Sequence, residues 1–208
     1  MYFIKIVFLV FLAVCELQRI KANRDNARIV LRDTNQKRHR HGCQELFLDL
    51  ALSTDCEKYA RKLAKRNNYT YSDPTNSKYS ENICKYQIVR GGLSRCVSDW
   101  YRGQKLDFLD PRAKEFTAMI WRSSKFMGYG DATINAYEGI MVVRYTPPGN
   151  IRGLYTDNVP PKKKHKHKHK HKKHKHKKNC ASCQDNRCLI LIILFFSYRL
   201  GFLSFNMG

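Results

Sequence analysis

Residues 116–145 read FTAMIWRSSKFMGYGDATINAYEGIMVVRY. Three segments of this stretch, residues 116–121, 127–133 and 140–145, are rich in β-branched and aromatic residues, and turn-forming residues separate them. That pattern is typical of an antiparallel meander. The stretch therefore predicts three short strands of an antiparallel sheet in the second half of the chain.

The residues that precede this stretch have helical periodicity. Apolar residues recur at three- and four-residue steps over about 49–66 and over 92–105, and each segment is predicted to be an amphipathic helix. A shorter helix is expected over 23–41, ending at Gly42, and polar residues 67–82 are expected to form a loop. Helices followed by strands indicate an α+β fold.

The N-terminus has the features of a secretory signal peptide. Lys5 precedes an apolar run over residues 6–14, which has the length of a signal h-region. The run is shorter than the about 20 apolar residues that span a bilayer. We predict that residues 1–22 are a signal peptide, cleaved between Ala13 and Ala22, and that the protein is secreted and extracellular. A buried helix or a membrane anchor is the alternative.

In a secreted protein the cysteines can form disulfides and one asparagine can be glycosylated. Cys43, Cys56, Cys84 and Cys96 form an even set in an oxidising compartment, so two disulfides are expected. Four cysteines allow three connectivities, and only proximity favours a bond between Cys84 and Cys96. Asn68 begins a glycosylation sequon, Asn-Tyr-Thr.

Half of the net charge of +22 lies in residues 162–178, which contain only Lys and His. This Lys/His tract is expected to be disordered and to bind an anionic surface, either membrane lipid or a sulfated or phosphorylated polymer. Protonation of its histidines should strengthen that binding in mild acid. Metal binding by the histidines and a solvated tail without a partner are the alternatives. Nucleic acid is excluded as a partner by the secreted compartment. The anion-binding lysines are Lys162, Lys163, Lys164, Lys166, Lys168, Lys170, Lys172, Lys173, Lys175, Lys177 and Lys178.

The last segment, residues 179–208, is a polar spacer followed by an apolar stretch that Arg199 interrupts. This order of small residues, spacer and apolar tail resembles a GPI-attachment signal, so the protein would be attached to a membrane through a processed C-terminus. A membrane-inserted tail and a divergent chain end are the other two interpretations.

Four motifs resemble those of the CAP superfamily, the cysteine-rich secretory, antigen 5 and pathogenesis-related proteins. Asn35 and Arg38 match the HNxxR motif of its first helix, although Thr34 replaces the histidine. Residues 116–121 and 143–150 resemble the two CAP signatures, and residues 80–83 stand at the GEN position. The Golgi-associated pathogenesis-related type is the most similar, and the resemblance implies a three-layer α-β-α sandwich over residues 23–161.

The resemblance also implies a surface cleft whose usual two His and two Glu are mostly replaced. The four family positions fall at Tyr71, Glu81, Gly103 and Glu115, and only Glu81 keeps the family residue. Zinc needs three or four ligands in fixed geometry, so we expect no metal, no cofactor and no catalytic residue in this cleft. A Glu81–Glu115 pair that binds Ca²⁺ weakly or acts as paired carboxylates is the alternative.

The remaining histidines outside the tract, His39 and His41, are expected to belong to a solvated basic cluster at a helix end. The sequence as a whole predicts a secreted, non-enzymatic binding protein with an unknown protein or lipid partner at the CAP domain. The resemblance suggests a role in reproduction or defence. A degenerate metal-assisted hydrolase and a lipid- or sterol-binding protein are the alternatives.

Overall fold

The computed structural model describes residues 2–66, 69–72 and 77–163. The predictions for Asn68, for the lysines from Lys164 onward and for the apolar C-terminus lie outside these residues. Within them, none of the helices is both long and apolar enough to cross a bilayer. The helices are α1 (Tyr2–Arg40), α2 (Leu50–Arg66), α3 (Gly92–Tyr101), α4 (Lys114–Ile120) and α5 (Tyr155–Asn158), with 3-10 turns at Arg102–Lys105 and Pro111–Ala113. The strands are β1 (Phe47–Leu48), β2 (Ser80–Gln87), β3 (Phe126–Thr133) and β4 (Glu138–Thr146).

The four strands form one sheet in the order β1-β3-β4-β2. Strand β4 pairs antiparallel with both β2 and β3, whereas the two-residue β1 pairs parallel with β3. Side chains of β4 alternate between two clusters: Ile140 and Val142 pack towards α2, and Met141 and Val143 pack on the opposite side against residues of α1, α3 and α4. The α+β fold and its layered arrangement are therefore confirmed.

Two glycines of β3 let α2 lie directly on the sheet. A Cβ at Gly128 would come within 2.7 Å of the backbone carbon of Leu52, and one at Gly130 would overlap the backbone of Cys56 and Glu57. Because side chains at these positions would hold the layers apart, the glycines set the spacing between α2 and β3.

Helix α1 is longer than the sequence predicts. It begins at Tyr2 rather than near residue 23, and the apolar side chains of residues 3–12 are exposed. Its end agrees with the prediction: α1 stops at Arg40, and Gly42 has a φ of 72°, a conformation that a glycine adopts without strain. Cleavage of residues 1–22 stays a prediction.

The Arg38 side chain joins the end of α1 to the rest of the domain. It is fully buried, and its guanidinium donates to the carbonyl oxygens of Gln44 (2.9 Å), Met119 (2.9 Å), Trp121 (2.9 Å) and Ser124 (3.1 Å). Met119 lies in the last turn of α4 and the other three residues lie outside the helices, so the guanidinium binds carbonyls that helical hydrogen bonds do not satisfy. The carbonyl of Trp121 also accepts from the amide of Ser124.

Two segments differ from the predicted secondary structure. Residues 116–121 were expected to be a strand, but Phe116–Ile120 belong to helix α4, whose preceding turn begins with Asp110 capping the amide of Arg112. All five side chains are buried, so the segment lacks the periodicity that distinguishes the two elements. The predicted loop 67–82 instead ends in β2, because Ser80–Asn82 pair with the end of β4.

The expectation of two disulfides is wrong for the described cysteines. Cys84 and Cys96 are bonded, as proximity favoured, but Cys43 and Cys56 are free and buried. Cys56 packs with the α2 cluster and Cys43 with the cluster on the other side of the sheet, so β3 and β4 stand between their thiols. The Cys43 thiol donates to the carbonyl of Ile120 at 3.1 Å, and burial raises the pKa of Cys56 to about 12.

Replacing Arg38 by lysine should destabilise the domain. Lysine keeps the charge but loses the planar fork that reaches four carbonyls, so we expect Arg38→Lys to lower the free energy of unfolding by about 3 kcal/mol. Urea denaturation followed by circular dichroism measures this loss. The exposed Arg28→Lys on the same helix is the matched control and should change stability by less than about 0.5 kcal/mol. Equal stabilities for the two variants would contradict the role given to Arg38.

Thiol labelling should separate Cys43, Cys56, Cys84 and Cys96 into two classes. When the purified protein is denatured without reductant and alkylated, peptide mapping should find the label on Cys43 and Cys56 and none on Cys84 and Cys96. In the folded protein Cys56 should react slowly, because its thiol is buried and its raised pKa suppresses the reactive thiolate. A disulfide that includes Cys43 or Cys56 would refute this pairing.

Candidate functional site

Three of the four cleft positions come together in the structure. Tyr71 lies in the segment before β2, Glu81 lies on β2, and Glu115 lies in the first turn of α4. The Tyr71 hydroxyl donates to Oε1 of Glu115 at 2.5 Å. Two positions where the family has imidazoles are therefore occupied by a phenol and a carboxylate that bind each other.

The Glu81 carboxylate is used in a buried ion pair. Its Oε2 accepts from Nε of Arg144 at 2.8 Å, and both side chains are almost fully buried. The backbone amide of Ser72 donates to Oε1 at 2.8 Å, and the Ser72 hydroxyl donates to Oε2 at 3.0 Å. With three donors around it, one of them a guanidinium, this carboxylate holds the Tyr71–Ser72 segment against the sheet.

The Arg144 guanidinium is also enclosed by aromatic rings. It lies 4.1 Å from the ring centroid of Tyr79 and 5.4 Å from that of Tyr59, while Glu81 is its cross-strand partner in the β2–β4 pairing. Such cation–π contacts and the carboxylate together compensate for removing the charge from water. Arg144 is thus a structural partner of the one cleft residue that keeps its family identity.

Gly103 lies in the 3-10 turn after α3 and has no space for a longer side chain. It is buried, and a Cβ there would come within 2.8 Å of Cβ of Phe116 and 3.2 Å of Cα of Ala113. The backbone of the turn and α4 have closed over the position that would carry a carboxylate. Gly103 therefore contributes packing rather than a ligand.

The phenol of Tyr71 stays protonated at neutral pH. Burial, followed by its hydrogen bond to Glu115, raises the pKa of Tyr71 well above 10. The ammonium of Lys114 lies 3.8 Å from the centroid of the same ring. A phenol in this state keeps its proton, donates a hydrogen bond to Glu115 and does not serve as an anionic metal ligand.

These residues do not fit zinc. A zinc site takes three or four His, Cys or carboxylate ligands, and here one carboxylate binds Arg144 and the other accepts from Tyr71. Among the residues that the structure describes, no group of three or more His, Cys, Asp and Glu side chains is placed to hold a metal ion. The cleft is a hydrogen-bonded cluster that fixes loops to the sheet.

The sequence did not single out Arg144 as a site residue, and it predicted the wrong environment for His41. A charged residue inside the apolar run of residues 140–145 was the available signal for Arg144, because a charge in a buried strand needs a partner. His39 is exposed as expected, but His41 is buried. Its Nδ1 lies 2.7 Å from the carbonyl of Pro160 and its Nε2 2.9 Å from the hydroxyl of Tyr101. The interpretation of His41 as a solvated residue is therefore wrong.

Comparison with known proteins gives a consistent assignment. A family model described as the cysteine-rich secretory protein family, CAP, matches residues 31–145. The human Golgi-associated plant pathogenesis-related protein 1 is 31% identical over 144 residues, which cover 65% of this chain and 92% of that protein. Secreted protein RBT4 of Candida albicans is 26% identical over 135 residues, 61% of this chain and 36% of the longer fungal protein.

One solved structure supports the fold alone. The crystal structure of NaASP2 with Zn²⁺ superposes with a TM-score of 0.50 at 18% identity, covering 68% of this chain and 86% of that one. At this identity the metal of that structure says nothing about the cleft of this chain.

Stability should depend on pH through His41. Burial, then the charges of Lys162 and Arg40, lower the pKa of His41 below 6.5, although its bond to Pro160 opposes the shift. A lowered folded-state pKa means that its stabilising contribution is complete above about pH 6.5 and is lost as the pH falls through the folded value. We expect His41→Gln to reduce the loss of unfolding free energy between neutral and mildly acidic pH. The exposed His39→Gln is the control, and an unchanged pH dependence in His41→Gln would contradict the assignment.

Proposed function

The chain belongs to the cysteine-rich secretory protein family, CAP, and from that premise we propose that it is a secreted, non-enzymatic binding protein. The proposed role is to present the surface of the CAP domain to a protein or lipid partner. The Lys/His tract, residues 162–178, would raise the local concentration of the protein at anionic surfaces.

The arrangement of the cleft supports a non-enzymatic role. General acid–base catalysis needs a group that is free to exchange protons with a substrate, and metal-assisted hydrolysis needs an open coordination site. Glu81 is buried against Arg144 and Ser72, and Glu115 accepts from Tyr71. Neither carboxylate is presented as a base. The use of Glu81 by Arg144 and Ser72, with one oxygen of the half-buried Glu115 bound by Tyr71, is the observation that carries the proposal, and it favours binding over the hydrolase alternative.

Secretion is supported by two observations. Residues 1–14 have the charge and apolar pattern of a signal peptide, and one relative is named as a secreted protein. Residues 1–22 would then be removed. The human relative is named as Golgi-associated, so export through that compartment is compatible with both names. A disulfide between Cys84 and Cys96 suits the same oxidising route.

Zinc titration by calorimetry tests the proposed loss of the metal site. We expect no sub-micromolar binding attributable to the cleft, because its carboxylates already have partners and no imidazole is present. The Lys/His tract provides its own histidines, so the full chain is compared with Glu81→Gln and Glu115→Gln. Any zinc bound by the tract is unchanged by these substitutions. Stoichiometric sub-micromolar binding that either substitution abolishes would refute the proposal.

A further inference from the structure

One end of the domain gathers basic residues from three separate segments. Lys37 and Arg40 lie in the last turn of α1, Arg122 follows α4, and Lys162 and Lys163 end the described chain. The backbone amide of Lys163 donates to the carbonyl of Arg40 at 2.8 Å, which fixes the start of the Lys/His tract against α1. Within the described residues, none of these five cations forms an ion pair with a carboxylate.

Contacts with the folded domain hold two of these cations in place although the cations repel one another. The ammonium of Lys37 lies 4.8 Å from the ring centroid of Tyr101, and the guanidinium of Arg40 lies 6.0 Å from it. The Lys163 side chain lies against the turn that ends α1, because a Cβ at Gly42 would come within 2.5 Å of its Cε. The Cys43 thiol in the same turn donates to the carbonyl of Ile120, two residues before Arg122. The partial negative charge of the α1 C-terminus accounts for the cations in its last turn but not for Arg122, which comes from another element.

Exposed apolar residues lie beside these cations. The Phe108 ring stacks on Tyr155 with centroids 6.3 Å apart, and the neighbouring Leu109 is 76% exposed. Leu154, next to Tyr155, is 43% exposed. The segment that carries Arg122 contacts α5, because the amide of Arg122 donates to the carbonyl of Asn158 at the end of that helix. A leucine so exposed at a loop tip has no role in the core.

The acidic residues nearby are few. The Asp110 carboxylate pairs with Arg112 at 2.7 Å, and Asp107 accepts from the amide of Leu109, so both are used within the loop. Asp157 is an exposed carboxylate on α5, and the exposed Glu45 lines the same surface depression as Arg40. The five cations outnumber these two carboxylates, so the surface stays positive.

We propose that this docking face, made by Lys37, Arg40, Leu109, Arg122, Leu154 and Lys163, binds the surface of a membrane that contains anionic lipids. Cations attract anionic headgroups, and a leucine at a loop tip can enter the boundary between headgroups and acyl chains. A sulfated polymer would be attracted by the same cations but would leave the exposed leucines without a role. The inference rests on the proposed binding function and extends it from the tract to the folded domain.

Vesicle sedimentation with the full chain tests the proposal. The chain is compared with a tract-neutral chain, in which every lysine of residues 164–178 is replaced by glutamine. Phosphatidylcholine vesicles with and without phosphatidylserine are the probes, and the neutral vesicles measure any binding by the apolar N-terminus that both chains share. We expect the tract-neutral chain to bind the anionic vesicles more tightly than the neutral ones.

Substitutions in the tract-neutral chain then test the face itself. Lys37→Gln with Arg40→Gln should weaken binding to the anionic vesicles about thirtyfold, from about 1 kcal/mol for each cation at an anionic surface. Leu109→Ser should weaken it about tenfold without affecting folding, because this side chain is exposed. Arg90→Gln with Arg95→Gln removes two exposed cations near the start of α3 and is the matched control that should bind as the parent does.

Two outcomes would overturn the docking face. If the tract-neutral chain binds both vesicle types equally while the unmodified chain prefers the anionic ones, the tract acts alone and only the inference fails. If Leu109→Ser binds vesicles unchanged while heparin binding depends on Lys37 and Arg40, the surface is a polymer site rather than a membrane site. Failure of the unmodified chain to bind any anionic probe would instead contradict the role of the tract.

Discussion

The buried guanidinium of Arg38 is the interaction on which the arrangement of this domain depends. It joins the end of α1 to the segment before β1, to the end of α4 and to the residues that enter β3. The buried charge is tolerated because its donors bind four carbonyl oxygens at the turns and helix ends around it. Because the end of α1 is fixed, the His41 ring contacts the carbonyl of Pro160. The amide of Lys163 donates to the carbonyl of Arg40, and this bond holds the chain where it leaves the domain.

The polar side chains of the cleft satisfy one another. Tyr71 and Glu115, which the resemblance places at the imidazole positions of the family, bind each other, while Glu81, at a glutamate position, binds Arg144. Gly103 lies where the turn and α4 leave no room for a carboxylate. Each change is compatible with the others, because every polar group that remains has a partner. The same residues that could have served chemistry now stabilise the loops around β2.

The side of the sheet on which each cysteine lies explains which disulfide forms. Cys84 and Cys96 lie on neighbouring elements, with their Cα atoms 6.0 Å apart, and a disulfide bridges them. Cys43 and Cys56 are packed in different clusters, and the strands separate them. An even number of cysteines therefore says how many bonds are possible, whereas the side of the sheet on which each thiol lies decides which bonds form. Among the described cysteines, one of the two disulfides that composition allowed is present.

The sequence by itself determined the α+β fold, the approximate span of α2, the end of α1 at Gly42 and the identity of the family. These features follow from local periodicity, from turn chemistry and from short motifs, which the chain carries within a few residues. The sequence also located Tyr71, Glu81, Gly103 and Glu115, since a resemblance assigns positions one by one. Only the tertiary structure decided that residues 116–120 form a helix, that residues 80–82 form a strand, that Arg144 holds Glu81 and that His41 is buried. Those outcomes depend on partners far along the chain, and burial against a distant partner leaves no local pattern in the sequence.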